Sequence, residues 1–206
     1  MDIYGYGTPI FLKDVRIGRK SKSAIKEEFY RACKRGEISR DGPGIYSIVN
    51  KEEDFPKIVT FESILSSKFI YEKDTPDNMK DFCIAGYYNG LTFLNMIGIS
   101  EQVPAILEVT TNRTSSKKRY YTTSGRIAII RKSRTEITFL NYKILQFLDM
   151  FHFITMNEVK KNKELIRNYI KKNQLTKKQF TDYIGLYSTQ TIKKIVEGGI
   201  IDAFIC

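Results

Sequence analysis

The chain has no tryptophan and a single histidine, His152, in 206 residues. A lone histidine with no Ser or Cys placed beside it argues against a hydrolase triad. No Cys, His or carboxylate is spaced to join it as a metal ligand, so it reads as a core or helix-end residue. The three cysteines, Cys33, Cys83 and Cys206, are far apart and odd in number. They form neither a disulfide framework nor a zinc pattern, which points to reduced thiols in a cytoplasmic protein. A run of about eighteen apolar residues is missing, as is a charged-then-apolar leader, so neither a membrane span nor a secretion signal is expected. No GKS or GKT follows the glycines Gly86 and Gly90, and there is no Gly-rich dinucleotide turn. A metal nuclease would place a lysine one position beyond its second strand carboxylate. Glu108 is followed by Val109 and Thr110 instead, and Glu101 and Asp149 have no evident partners. No catalytic residue, metal ligand or cofactor is therefore expected, and the chain reads as a binding protein.

What is present is positive charge and enough apolar content for a core. The formal net charge is +11, with 42% hydrophobic residues. The basic residues cluster in stretches, which favours nucleic acid over a membrane surface as the polyanionic partner.

The most informative stretch is Ala24 to Val49. Ile25, Phe29, Ala32 and Cys33 recur at helical spacing. Gly36 suits a helix C-cap, and Lys34 and Arg35 complement the helix end. Ile38, then Ile45, Ile48 and Val49, suit short strands that reverse at Gly42-Pro43-Gly44. Upstream, Thr8-Pro9 looks like an N-cap opening a short helix through Val15, ended by Gly18. The sum is helix, turn, helix and hairpin: a winged helix-turn-helix with little room for a further helix before Thr8. On its second helix Lys22, Lys26 and Tyr30 form one row at i, i+4 and i+8. With Arg19, Lys20, Ser21 and Ser23 in the preceding turn and Arg40 beside the wing, these are the candidate DNA contacts. A solvated helix face that only packs, or a protein-interaction module, is the competing reading.

Downstream, the acidic Glu52-Glu53-Asp54 followed by Pro56 suggests a boundary. A short amphipathic helix is expected over Thr60 to Ile70, and Asp74 to Asn78 forms a second break. Met79 to Ile99 reads as two helices meeting near Asn89-Gly90. Strands follow at Ala105–Thr111, Tyr120–Thr123 and Arg126–Arg131, the last two joined by Ser124-Gly125. Between Arg113 and Arg134 lie eight basic residues and no acidic one. Arg113, Lys117, Lys118, Arg119, Arg126, Arg131 and Lys132, with Arg134, would give this sheet a second positive surface, for a polyanion or an acidic protein. Edge lysines that deter aggregation explain some of them. Thr138 to Ile154 is an apolar helix. Asn157 is read as capping a helix to Lys172, Thr176 and Gln179 as a capping box, and Ser188 or Thr189 as opening a last helix ending at Gly198-Gly199. The lysine-rich first half of the Asn157–Cys206 segment reads as a solvated face. The fold class is thus α/β, more closely α+β. Residues 1–50 form the winged helix-turn-helix and 51–78 a connecting segment. Residues 79–206 place helices around a small, mostly antiparallel sheet with a helical C-terminus.

The segment AIKEEFYRACKRGEISRDGPGIY, Ala24 to Tyr46, resembles the winged-helix start of AbiEi-type antitoxins. Their helix ends in a Gly, charged, Leu-or-Ile step, followed by Arg and a Gly-x-Tyr wing. Gln102-Val103-Pro104, then a strand and Asn112-Arg113, is also similar to that family. The resemblance covers about residues 8–155. It implies the antitoxin of a type IV toxin–antitoxin system, which binds inverted repeats in its own promoter, represses the operon and counteracts a nucleotidyltransferase-like toxin. Only Lys22, Ser23, Lys26 and Tyr30 on the helix and Arg40 on the wing carry over. A nuclease with a DNA-reading module, using Glu108, and an interaction module that touches no DNA remain the rivals.

Overall fold

The structure is a computed structural model, and it describes residues 5–50, 58–72 and 83–205. The acidic patch at 52–54, the break at 74–78, Met79, Phe82 and Cys206 lie outside the described residues. The fold is mixed α/β, with eight α-helices and two small sheets among the described residues. The chain divides into two compact units, 1–68 with 122–126, and 69–121 with 127–206.

In the first unit a single helix packs on a three-stranded sheet. Helix α1 spans Lys22–Lys34. Ser21 caps it by accepting from the Ala24 amide at 3.2 Å. At its other end the Gly36 N–H donates to Cys33 O and the Glu37 N–H to Ala32 O. Gly36 adopts φ +67°, so the expected glycine stop forms as a Schellman turn. Strands β2 (Ile38–Gly42) and β3 (Ile45–Ile48) pair antiparallel, with a register shift between Arg40 and Gly42. Gly44 turns the hairpin at φ +71°. Phe29 meets Tyr46 edge-to-face at 5.0 Å, and Ile10, Ile38 and Tyr46 form the small core beneath α1.

The helix expected over Thr8 to Val15 is not there. Ile10–Phe11 form strand β1, antiparallel to β3, and Leu12 N–H donates to Gly44 O. Leu12 to Asp14 are turns, and Val15 is irregular. An isolated helix of eight residues is marginal, and the open edge of β3 offers the backbone of Ile10 and Phe11 partners that bury Ile10 as well. The sheet order is β1-β3-β2. The Thr60–Ile70 segment is helical as expected, with α2 at Phe61–Leu65 running into a π-helical turn, Ser66–Ile70.

The second unit holds a four-stranded sheet of order β4-β5-β7-β6. Its strands are β4 (Gly86–Tyr88), β5 (Leu107–Thr111), β6 (Lys118–Thr123) and β7 (Arg126–Lys132). The chain leaves β5, runs out to the edge as β6, turns at Ser124-Gly125 and returns between them as β7. This makes β5 and β7 parallel, although β4 and β5 are antiparallel. All five residues of β5 are buried, as a strand covered on both faces requires.

The first of the two helices expected in Met79 to Ile99 is replaced, where the structure describes it, by β4. Gly86 makes that possible: a Cβ there would lie 2.3 Å from Phe69 O and 2.7 Å from Thr110 O. The second is present as α3, Gly90–Met96, capped by Asn89.

Helix α4 (Tyr142–Met150) is buried on all sides, its seven residues Ile144 to Met150 without exception. Around it pack α5 (Met156–Lys161), α6 (Lys163–Lys172), α7 (Lys177–Ile184) and α8 (Thr189–Glu197). The helix expected from Asn157 to Lys172 starts earlier, at a Thr155–Glu158 capping box, and breaks at Asn162. There the Asn162 side chain donates to Glu158 O, competing with the helical pattern. The Thr176–Gln179 capping box and the start of α8 after Ser188 are as expected. Lys160, Lys161, Lys171 and Lys172 are exposed, while Ile166 and Ile170 face the core.

Candidate functional site

Two surfaces carry the sequence's candidate residues, one in each unit. In the first, α1 turns Ile25 and Phe29 inward and leaves Lys22, Lys26 and Tyr30 on its outer face. Tyr30 is 54% exposed and holds the Lys34 ammonium 4.8 Å from its ring centroid. Arg19, Ser23 and Arg40 are exposed as well. Lys20 is exposed but pairs with Glu28. Ser21 is exposed too; its hydroxyl oxygen accepts from the Ala24 amide as the helix cap, and its O–H is left to donate. Beside this row, α1 and the hairpin border a groove of about 350 Å³, floored by Phe11, Leu12, Ile25 and Ile45 and rimmed by Lys13, Lys22, Lys26 and Lys68. Lys13 and Lys68 were missed from sequence because they sit on elements outside the helix and hairpin. Lys68 lies with its Nζ 5.4 Å from the Phe11 ring.

The run of basic residues from Arg113 to Lys132 does not form one surface. Alternation along β6 exposes Lys118 and turns Arg119 inward, its guanidinium 5.4 Å from the Phe69 ring. Arg119 Nε also donates to Thr114. Arg126 belongs to the first unit, where it pairs with Glu62 at 3.1 Å and stacks on Phe61. Arg113 is half-buried. Only Lys117, Arg131 and Lys132, joined by Arg134, line a common cleft of about 640 Å³ in the second unit.

The floor of that cleft is a buried polar network that the sequence did not reveal. Asp149, read as partnerless, has three donors. Tyr87 O–H donates to its Oδ2 at 2.9 Å, Asn89 Nδ2 to the same oxygen at 3.1 Å, and Arg134 Nε to Oδ1 at 3.3 Å. Asn89 Nδ2 also donates to Thr110 Oγ1 at 2.9 Å. Burial pushes the Asp149 carboxyl above its ordinary range, against the pull of Tyr87 and Arg134. Burial, with the nearby Asp149 charge, drives the Tyr87 and Tyr187 phenols well above theirs, so both stay neutral donors. The signal was at the end of β4 and the start of α3: three residues with polar groups, Tyr87, Tyr88 and Asn89, stand beside a buried strand and a wholly buried helix, where an aspartate needs partners.

Glu108, the candidate nuclease carboxylate, pairs with Arg131 Nε. Its Oε2 lies 3.0 Å from where a Cβ on Gly90 would sit. Among the described residues no group of three His, Cys, Asp or Glu side chains is placed to hold a metal ion. His152 is exposed at the end of α4, edge-on to Phe153, and reaches the cleft wall.

No family model, curated protein or solved structure matches the chain. No helix among the described residues is long and apolar enough to cross a membrane.

Proposed function

We propose that the protein is a cytoplasmic DNA-binding antitoxin of a type IV toxin–antitoxin system. It reads its own promoter through an N-terminal winged helix and represses the operon. Its partners are that duplex and a cognate nucleotidyltransferase-like toxin. The observation that carries this reading is the exposed row Lys22, Lys26 and Tyr30 on α1, beside the β2–β3 hairpin that bears Arg40. Such a helix suits a major groove, with the hairpin at its flank. The unit departs from a full helix-turn-helix, since strand and turns occupy the place of the helix before α1. The ion pair between Glu108 and Arg131 speaks against a free nuclease carboxylate.

Phosphate contacts by lysine and arginine release counterions, so affinity for the upstream region should fall steeply with salt. With about six phosphates contacted, raising salt from 50 to 200 mM is expected to weaken binding about a thousandfold. A gel-shift titration across that range checks it. Lys22→Glu with Lys26→Glu should abolish the shift and leave the circular dichroism spectrum unchanged. Salt-insensitive binding, or a shift that survives both reversals, contradicts the reading.

A further inference from the structure

The cleft of the second unit plays no part in the DNA reading, and its chemistry is more specific than a basic patch. Its two arginines meet their carboxylates through Nε alone, Arg131 on Glu108 and Arg134 on Asp149. The Nη ends of both guanidinium groups are left without a protein acceptor among the described residues. Lys117 and Lys132 are exposed, and neither makes an ion pair or a side-chain hydrogen bond among the described residues. On the floor, Thr110 is 2% exposed and accepts from Asn89, while its own hydroxyl hydrogen has no acceptor there. Thr110 stands opposite Arg131 in the β5–β7 register. A buried donor and two guanidinium ends thus share one cleft and call for an acceptor that the chain does not supply.

Phosphoryl oxygens answer that demand, because a guanidinium fork matches phosphate geometry and lysines add point charge. The single carboxylate lining the cleft, Asp149, is already covered by its three donors and does not repel an incoming anion strongly. The volume is too large for a bare phosphate and lies within the usual range of small-molecule sites, roughly 300–1,000 Å³. A DNA duplex is too wide to enter it. At the wall, Phe153 carries the Arg131 guanidinium 5.9 Å from its ring, with His152 beside it. Those two rings offer a stacking edge for a flat heterocycle.

From these features we infer that the cleft binds a nucleoside polyphosphate. Its phosphates meet Thr110, Arg131, Lys117 and Lys132, and its base lies toward Phe153 and His152. The inference stands or falls apart from the DNA reading, since none of these residues is on α1 or the hairpin.

The test is calorimetric titration of the full chain with ATP, with inorganic tripolyphosphate and adenosine as comparators. Saturable ATP binding, tighter than either comparator, is expected. Lys117→Glu and Lys132→Glu should each weaken it about tenfold, the loss typical of one charged hydrogen bond. Thr110→Val should weaken it severalfold, and Lys26→Glu should leave it unchanged. If Thr110→Val unfolds, the two exposed lysines still decide the matter. The inference is overturned by absence of ATP binding or by binding indifferent to both lysine reversals. It is equally overturned if tripolyphosphate binds as tightly as ATP, or if a duplex oligonucleotide displaces ATP.

Discussion

Asp149 is the residue whose surroundings decide most. It is 6% exposed on a helix with no solvent-facing side, and it anchors the hydroxyl of Tyr87 and the amide of Asn89. Replacing it with leucine strands those donors, at a cost of about 1–3 kcal/mol for each buried group left unpaired. Urea unfolding of Asp149→Leu against wild type measures it. The pH dependence has a definite sign. Because the folded-state pKa is raised, the folded protein holds this proton to higher pH than the unfolded chain does. The stability from this group is therefore full below an aspartate's unfolded pKa, about 3.9, and fades as pH rises through the raised value. Melting temperatures of wild type and Asp149→Asn, compared from pH 4 upward, should diverge in that direction. Gly90 is the second decisive residue. Its φ of +58° strains any L side chain, and a methyl group would press within 3.0 Å of the Glu108 carboxylate. Gly90→Ala should cost about 1–2 kcal/mol from the backbone alone, read in the same unfolding assay.

At the scale of elements, caps and turns were legible because their signals are local. Gly36, Gly44, Thr176 with Gln179, and Ser124-Gly125 each act within a few residues of themselves. The misreadings share a different cause. Thr8-Pro9 carries the chemistry of a helix start, but Ile10 and Phe11 find their partners at Tyr46 and Ile45. Gly86 fell within an expected helix, and the backbone it approaches belongs to Phe69 and Thr110. The donors to Asp149 come from positions 87, 89 and 134. Periodicity carries no record of such distant neighbours. Along the Arg113–Lys132 run, strand alternation divided what composition had grouped. The caps make a prediction of their own. Thr155→Ala should destabilise the start of α5 by about 1 kcal/mol. The same capping box holds the Glu158 carboxyl below its usual value. Its support is present above the unfolded pKa of a glutamate and is lost as pH falls through the lowered one. The first cause is the Thr155 backbone N–H, which alanine keeps, so hydrogen exchange of the α5 amides should show the loss at acid pH in wild type and not in Glu158→Gln.

At the scale of the molecule, each unit keeps its own core. Ile10, Ile38 and Tyr46 centre one, and α4 with Phe147, Phe151 and Ile170 centres the other. Ile25 is 3% exposed in the first unit. Ile25→Ala should cost about 2–4 kcal/mol there. Amide protection is expected to fall in α1 and β3 while the slowest-exchanging amides of α4 keep theirs, which mass-resolved hydrogen exchange will detect.

The path from β5 through β6 to β7 also bears on how the protein is made. A hairpin can zip as it emerges from the ribosome, but β5 must wait for a strand that runs in its own direction and is synthesised after an intervening one. At about 5–20 residues per second, the delay before that strand is complete is of the order of seconds. For that interval β5, whose five residues are all buried in the finished fold, has a strand partner only on its β4 side. Nascent chains arrested between β5 and β7 should be the form most readily seized by chaperones.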